Sequence, residues 1–147
     1  MKIEKAALHH LESLAILFDQ YRVFYKKDSD IVAAKKFLSE RIEKNESVIF
    51  VSFDEENGMT GFTQLYPLFS STRMKRLWLL NDLFVDERLR GKGFTIALIE
   101  KAKELCYQTG ACGLLLETAK SNTIGNNLYP RTGFVLDEDH NYYSWDV

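Results

Sequence analysis

Leu77-Trp78-Leu79-Leu80-Asn81-Asp82-Leu83-Phe84-Val85-Asp86-Glu87-Arg88-Leu89-Arg90-Gly91-Lys92-Gly93-Phe94-Thr95 is the stretch whose reading decides the fold. Residues 77–85 are apolar except for Asn81 and Asp82, and predict a buried strand. A charged turn follows, then the glycine step Arg90-Gly91-Lys92-Gly93, then an amphipathic helix from Phe94. A strand that feeds a glycine turn opening a helix points unpaired backbone N–H groups and the positive dipole end at one place. That arrangement suits a phosphate. The glycines let the backbone approach a ligand closely.

Outward from this stretch the chain alternates helical and strand patterns. Residues 2–6 predict a short first strand. Leu8, Leu11, Leu14, Ala15, Leu17, Phe18 and Tyr21 recur at helical spacing over residues 8–25. Asp28-Ser29-Asp30 is a helix-start signal, and Ile31, Ala34, Phe37, Leu38 and Ile42 keep the helical period after it. Residues 47–53 and 59–69 predict two strands joined by the turn Asp54-Glu55-Glu56-Asn57-Gly58, with Gly61 marking a bulge. On the C-terminal side, residues 94–108 predict a helix ended by Gly110. Residues 113–118 predict another buried strand. Ser121 or Asn122 then caps a short helix holding Ile124, Leu128 and Tyr129. Residues 133–136 and 142–145 predict two closing strands around the acidic turn 137–141. The predicted order is βααβββαβαββ, an α+β domain of mixed α/β layers.

A chain of 147 residues fits one domain, so residues 1–147 are expected to form a single unit. Its net charge of −2 argues against a nucleic-acid partner. No apolar run is long enough to span a bilayer, and Met1-Lys2-Ile3-Glu4 is read as beginning no signal peptide. Cys106 and Cys112 are expected as thiols of a reducing cytoplasm rather than a disulfide. His9, His10 and His140 lack metal-ligand spacing to any cysteine or carboxylate cluster, and no metal is expected.

Two nucleotide readings of the glycine turn fail. Gly91-Lys92-Gly93 does not supply G-x-x-x-x-G-K-[ST], and Ile96 stands where a dinucleotide fingerprint needs its third glycine. The stretch does resemble the GCN5-related N-acetyltransferases (GNAT), whose acyl-CoA motif is [Q/R]-x-x-G-x-[G/A]. Arg88 to Gly93 fits letter by letter. Arg90 to Thr95 fits except at Thr95, and is preferred because R-G-x-G before the helix is the usual family form. L-N-D-L-F-V resembles the fourth strand of the spermidine/spermine acetyltransferase branch, which has an acid where Asn81 stands. Asn122 to Tyr129, followed by Gly133-Phe134, resembles the family's closing N…LY…GF motif.

The resemblance implies the GNAT acyl-CoA N-acyltransferase fold, a mostly antiparallel sheet of about seven strands with four helices. It implies acetyl-CoA as co-substrate and direct transfer to an amine in a ternary complex. The backbone of Leu83, Phe84 and Val85 would take the pantetheine arm where the fourth and fifth strands splay. Arg90, Gly91, Lys92, Gly93, Phe94, Thr95 and Ile96 would hold the pyrophosphate. Asn122, Thr123, Ile124 and Gly125 would meet the far side of the CoA. Tyr129 stands where the family often places its general acid; otherwise it is core packing, and Pro130 after it disturbs the helix. Asp82 is either a buried carboxylate bonded to a loop or a catalytic group for an amine, binding the cation or acting as a base through water. Strand alternation leaves open whether Asn81 or Asp82 faces the substrate, because strands of this family bulge here. Tyr25, with Tyr21, Phe24, Tyr66 and Phe69, is read as lining the acceptor entrance, with core or rim packing as the alternative for most of the set. The expected acceptor is a small primary amine, with a peptide or protein amine as the alternative within the class. A non-catalytic acyl-CoA-binding sensor is the alternative outside it. A homodimer without membrane or nucleic-acid partners is expected.

Overall fold

A computed structural model describes residues 1–147 as two compact units, Met1–Leu116 and Glu117–Val147. The first unit holds a five-stranded sheet in the order β1-β2-β3-β4-β5. Its strands are β1 (Lys2–Lys5), β2 (Val48–Asp54), β3 (Gly58–Ser70), β4 (Lys75–Val85) and β5 (Leu114–Leu115). The first four are antiparallel neighbours, and β5 runs parallel to β4.

Helices α1 (Leu11–Phe24) and α2 (Ile31–Glu43) cover one face. The apolar stripe Leu14, Ala15, Leu17 and Phe18 of α1 joins Ala34 and Leu38 of α2 on the sheet residues Ile49, Val51, Phe62 and Phe84. A helix-start signal does two jobs here. The Asp30 side chain accepts from the Ala33 N–H as the cap of α2. The buried carboxylate of Asp19 takes the Ser29 hydroxyl at 2.6 Å and the Asp30 N–H at 2.7 Å, pinning α1 to the start of α2. Helix α3 (Phe94–Thr109) follows the glycine turn, and its Lys101 ammonium sits over the Phe50 ring on the opposite face. Gly110, at φ 66°, ends it as predicted. No helix is long and apolar enough to cross a membrane.

Gly61 does mark a bulge. Ser52 pairs with Gly61 and Phe53 with Met59, which leaves Thr60 as the extra residue. A Cβ at Gly61 would lie 2.6 Å from the Phe84 carbonyl oxygen, so glycine here sets how closely β3 approaches β4.

The second unit contains α4 (Thr123–Arg131), with Asn122 accepting from the Gly125 N–H as its cap. The expected seven strands are corrected to five. Residues 133–136 and 142–145 form no strand, and the order ends at α4. Aromatic and aliphatic residues there supply a strand signal, but a strand also needs a ladder partner, which composition does not provide. The turn between them is held locally instead: Asp137 accepts from the N–H groups of Asp139 and His140. The strand expected over 113–118 is shortened to Leu114–Leu115. The first predicted helix begins with a single 3₁₀ turn at Leu8–His10. Cys106 and Cys112 are both free thiols, and burial pushes the Cys106 thiol up from its ordinary pKa.

Candidate active site

The glycine turn has the form its sequence implies. Gly91 and Gly93 adopt φ of 79° and 89°, a region that side chains rarely adopt. Nothing lies within 4 Å of a Cβ built at Gly91, and only the Met1 methyl approaches Gly93, at 3.7 Å. Gly93 is the N-cap of α3, and no side chain caps the helix. The first intrahelical bond runs from the Ala97 N–H to the Gly93 carbonyl. The N–H groups of Phe94, Thr95 and Ile96 precede it, so they belong to the turn that has no intrahelical acceptor. Open space, two positive-φ glycines and a bare helix start fit an anionic group such as a pyrophosphate. Lys92 beside them is exposed. Arg90 turns the other way: its guanidinium lies over the rings of Phe24 at 5.2 Å and Phe84 at 5.7 Å.

Strand β4 is paired along one edge only in part. Trp78 pairs with Leu114 and Leu79 with Leu115, and the parallel ladder stops there. Residues 80–85, which include Leu83, Phe84 and Val85, keep β3 as their only strand neighbour. Such an edge offers backbone donors and acceptors to an extended ligand. The family resemblance implies that a pantetheine arm meets Leu83, Phe84 and Val85, and the β4–β5 ladder ends before them.

A bulge decides the positions of the two polar residues of β4. Gln64 pairs with Asp82 and Leu65 with Leu80, so Asn81 is the residue without a counterpart. Asn81 is exposed, whereas Asp82 is only 4 % exposed. The Asp82 carboxylate lies on the α1 face with Phe84 and meets three donors. Gln64 Nε2 reaches Oδ2 at 2.7 Å, Asn81 Nδ2 reaches Oδ1 at 3.1 Å, and the Tyr21 hydroxyl of α1 is the third. Burial raises the Asp82 pKa above the ordinary carboxylate value, and the bonds from Gln64, Tyr21 and Asn81 oppose that rise. Tyr21 is pushed upward by its own burial and by the adjacent carboxylate, so it remains a donor. Burial and the same carboxylate push Tyr66 up to about 12.

Aromatic rings surround this carboxylate. Tyr21 meets Tyr25 at 5.0 Å, Phe62 at 5.8 Å and Phe84 at 6.1 Å between centroids. Tyr25 itself is half exposed and edges against Phe24. A carboxylate among aromatic faces is a chemical match for an organic ammonium. Gln64 and Ser47, both buried, belong to this cluster and were not among the predicted site residues. A polar residue in the apolar run of β3 was the available signal, but its register against Asp82 is not written in either strand alone.

In the second unit, Asn122 is set by its bond to the Thr118 hydroxyl at 2.8 Å and by capping Gly125. A Cβ at Gly125 would meet Asn122 Nδ2 at 2.5 Å and the Tyr129 ring at 3.2 Å, so glycine lets these two side chains share the helix face. Thr123 and Ile124 are exposed in the first turn of α4. Tyr129 is helical, and α4 continues through Pro130 to Arg131. Its ring packs edge-on against Phe134 at 5.7 Å, and its carbonyl accepts from the Phe134 N–H.

A groove of about 650 Å³ lies between Ser13, Leu17 and Gln20 of α1, the hairpin residues Asn57 and Gly58, and Asp86 and Arg88; no predicted site residue lines it. Glu4, His9 and His10 bring their ligand atoms within 4.8 Å of one another. His10 has no lone pair to spare there: its Nδ1 accepts from the Ala7 N–H, which leaves Nε2 to donate to Glu4.

Comparison with known proteins places these features in company. A family model described as the acetyltransferase (GNAT) family matches residues 11–134. An uncharacterized N-acetyltransferase, YhfO, of Bacillus subtilis is 43 % identical over all of this chain and 98 % of its own length. A probable acetyltransferase of Haemophilus influenzae is 36 % identical over 82 % of this chain and 83 % of its own. The crystal structure of a probable acetyltransferase superposes with a TM-score of 0.95, at 36 % identity, covering 100 % of this chain and 98 % of that one.

Proposed function

The chain belongs to the GNAT family of acetyltransferases, and from that premise we propose that it moves an acetyl group from acetyl-CoA to a small primary amine, directly and within a ternary complex. The observation that carries the choice of acceptor is Asp82, a carboxylate shielded to 4 % exposure yet walled by Tyr21 and its neighbouring rings. An ammonium entering there finds its counter-ion and aromatic faces together. The likeness of β4 to the spermidine/spermine branch supports a cationic acceptor, while Asn81 in place of an acid argues for fewer positive charges than a polyamine carries.

In this reading each residue has a defined task. Acetyl-CoA, when bound, supplies the activated acetyl thioester. The N–H groups of residues 91–96 hold its pyrophosphate, and the free edge of Leu83, Phe84 and Val85 aligns the arm. Asn122, Thr123, Ile124 and Gly125 meet the cofactor's far side. Asp82 takes a proton from the acceptor nitrogen, which frees the lone pair for attack. Its raised pKa suits that task, because a base works best when its pKa approaches the working pH. The Tyr129 phenol gives its proton to the departing thiolate. The reading includes a homodimer and a cytoplasmic setting, a reducing compartment in which thiols persist.

The test is a thiol-release assay with acetyl-CoA and a panel of aliphatic amines, aryl-alkyl amines, aminoglycosides and peptides with free N-termini. Release with small primary amines is expected. Release with peptides alone would replace the small-molecule reading, and acetyl-CoA binding without release by any amine would make the chain a sensor.

A further inference from the structure

The polar chain behind Asp82 is ordered in a way that burial alone does not require. Gln64 is wholly shielded, and both ends of its amide are engaged. Ser47 donates its hydroxyl to Oε1 at 2.9 Å, and Nε2 donates to Asp82 Oδ2 at 2.7 Å. The end that meets Asp82 is the Nε2 amide, which can only donate. A pure donor favours the carboxylate over the acid, whose own hydrogen would have to turn away. The partnership is built into the sheet, because Gln64 and Asp82 are register partners at the step where the bulge sets Asn81 aside. Thr63, the preceding residue, donates to the Asp82 main-chain carbonyl at 2.8 Å and fixes the strand pair at the same point.

We propose that Gln64 is a positioning residue: locked by Ser47, it holds the Asp82 carboxylate anionic and fixed in direction, ready to take a proton from an incoming ammonium. The proposal rests on the reading of Asp82 as the proton acceptor. In that step an N–H bond of the ammonium breaks, an O–H bond forms on Asp82, and the nitrogen keeps the electron pair. The other titratable groups around Asp82 are few. Tyr21 of α1 and Tyr66 of β3 stand against it, Tyr25 stands against Tyr21, and Arg41 of α2 acts on Tyr66. Both tyrosines that face Asp82 titrate far above neutral pH, so they do not change charge across the range where a carboxyl does.

The experiment is a melting cycle over about pH 4 to pH 8 with wild type, Gln64→Met, Asp82→Asn and the double variant, and Ser47→Ala as a milder second probe. Methionine keeps the volume of glutamine and removes the donor. The Gln64→Met deficit in Tm should widen as pH rises through the carboxyl titration and become pH-independent in the Asp82→Asn background. Ser47→Ala should show the same trend, smaller. A Gln64→Met deficit equal at every pH, with or without Asp82, would assign Gln64 to packing and overturn the proposal. In parallel, kcat/KM with 2-phenylethylamine as probe amine should show its acid limb moved up by about one to two pH units in Gln64→Met, the equivalent of one hydrogen bond to a charged group. An unmoved limb in Gln64→Met, while Asp82→Asn loses it, counts against Gln64. A limb that survives in Asp82→Asn removes Asp82 as the base and so strikes the functional reading, while the melting cycle still decides the role of Gln64.

Discussion

In the proposed reaction Asp82 and Tyr129 would carry the proton transfers, and each answers to a single-atom substitution. Asp82→Asn keeps the side-chain shape and removes the charge. Acetyl-CoA affinity should stay within about two-fold, and turnover of the best amine should fall by about 10²-fold or more, the range of a lost general base. The same variant makes a stability prediction. A carboxyl whose native pKa lies above its unfolded value of about 3.9 stabilises the fold while protonated, and that contribution is lost as pH rises through the native pKa. Burial raises Asp82, so wild type should lose stability relative to Asp82→Asn on going from acid to neutral pH, and melts across that range measure the difference. Tyr129→Phe leaves the edge contact with Phe134 in place. It should lower the chemical step by about 10²- to 10⁴-fold, as read by single-turnover kinetics. A chemical step within about two-fold of wild type assigns the proton to water or another group.

Among the elements, the β3–β4 pair sets the geometry of both halves of the first unit's site. Gly61 controls it, since a methyl group there meets the Phe84 carbonyl at 2.6 Å and a Val85 methyl at 2.8 Å. Gly61→Ala should cost about 1–3 kcal/mol by overpacking. Because Phe84 and Val85 belong to the edge read as the pantetheine contact, calorimetry should also find weaker acetyl-CoA binding. The glycine turn could be read from sequence because its information is local: Gly91, Gly93 and the helix start lie within a few residues. So could Asp30 and Gly110, whose capping roles depend on near neighbours. The Asp82–Gln64 bond could not, because it joins residues of two strands across a bulge, and a one-residue slip reverses every side chain. The closing strands failed for a related reason. Phe134, Val135, Tyr143 and Trp145 are residue types that strands favour, but pairing is a property of two segments and their own segment states only half of it.

For the whole molecule, the apolar residues outside any core matter most. Val135, Tyr143 and Trp145 are 92 %, 91 % and 85 % exposed in the single chain, a concentration that ordinarily marks an interface. The proposed homodimer would cover them. Sedimentation equilibrium should return twice the chain mass of 17.0 kDa, and Tyr143→Ser with Trp145→Ser should shift the population toward one chain. A wild-type chain that sediments as a monomer at tens of micromolar would withdraw the dimer. The early end of the β4–β5 ladder has a thermodynamic consequence as well. Strand β4 keeps only β3 as a ladder partner along residues 80–85, and its amides there should exchange hydrogen faster than those of β3. A donor lying along this edge, as proposed, would act as the missing strand, and folding and substrate supply would become linked equilibria. At a hundred times its dissociation constant, acetyl-CoA would add about 2.7 kcal/mol to the fold. Exchange along residues 80–85 should slow in proportion, which makes the resistance of this protein to unfolding a readout of how much acetyl donor surrounds it.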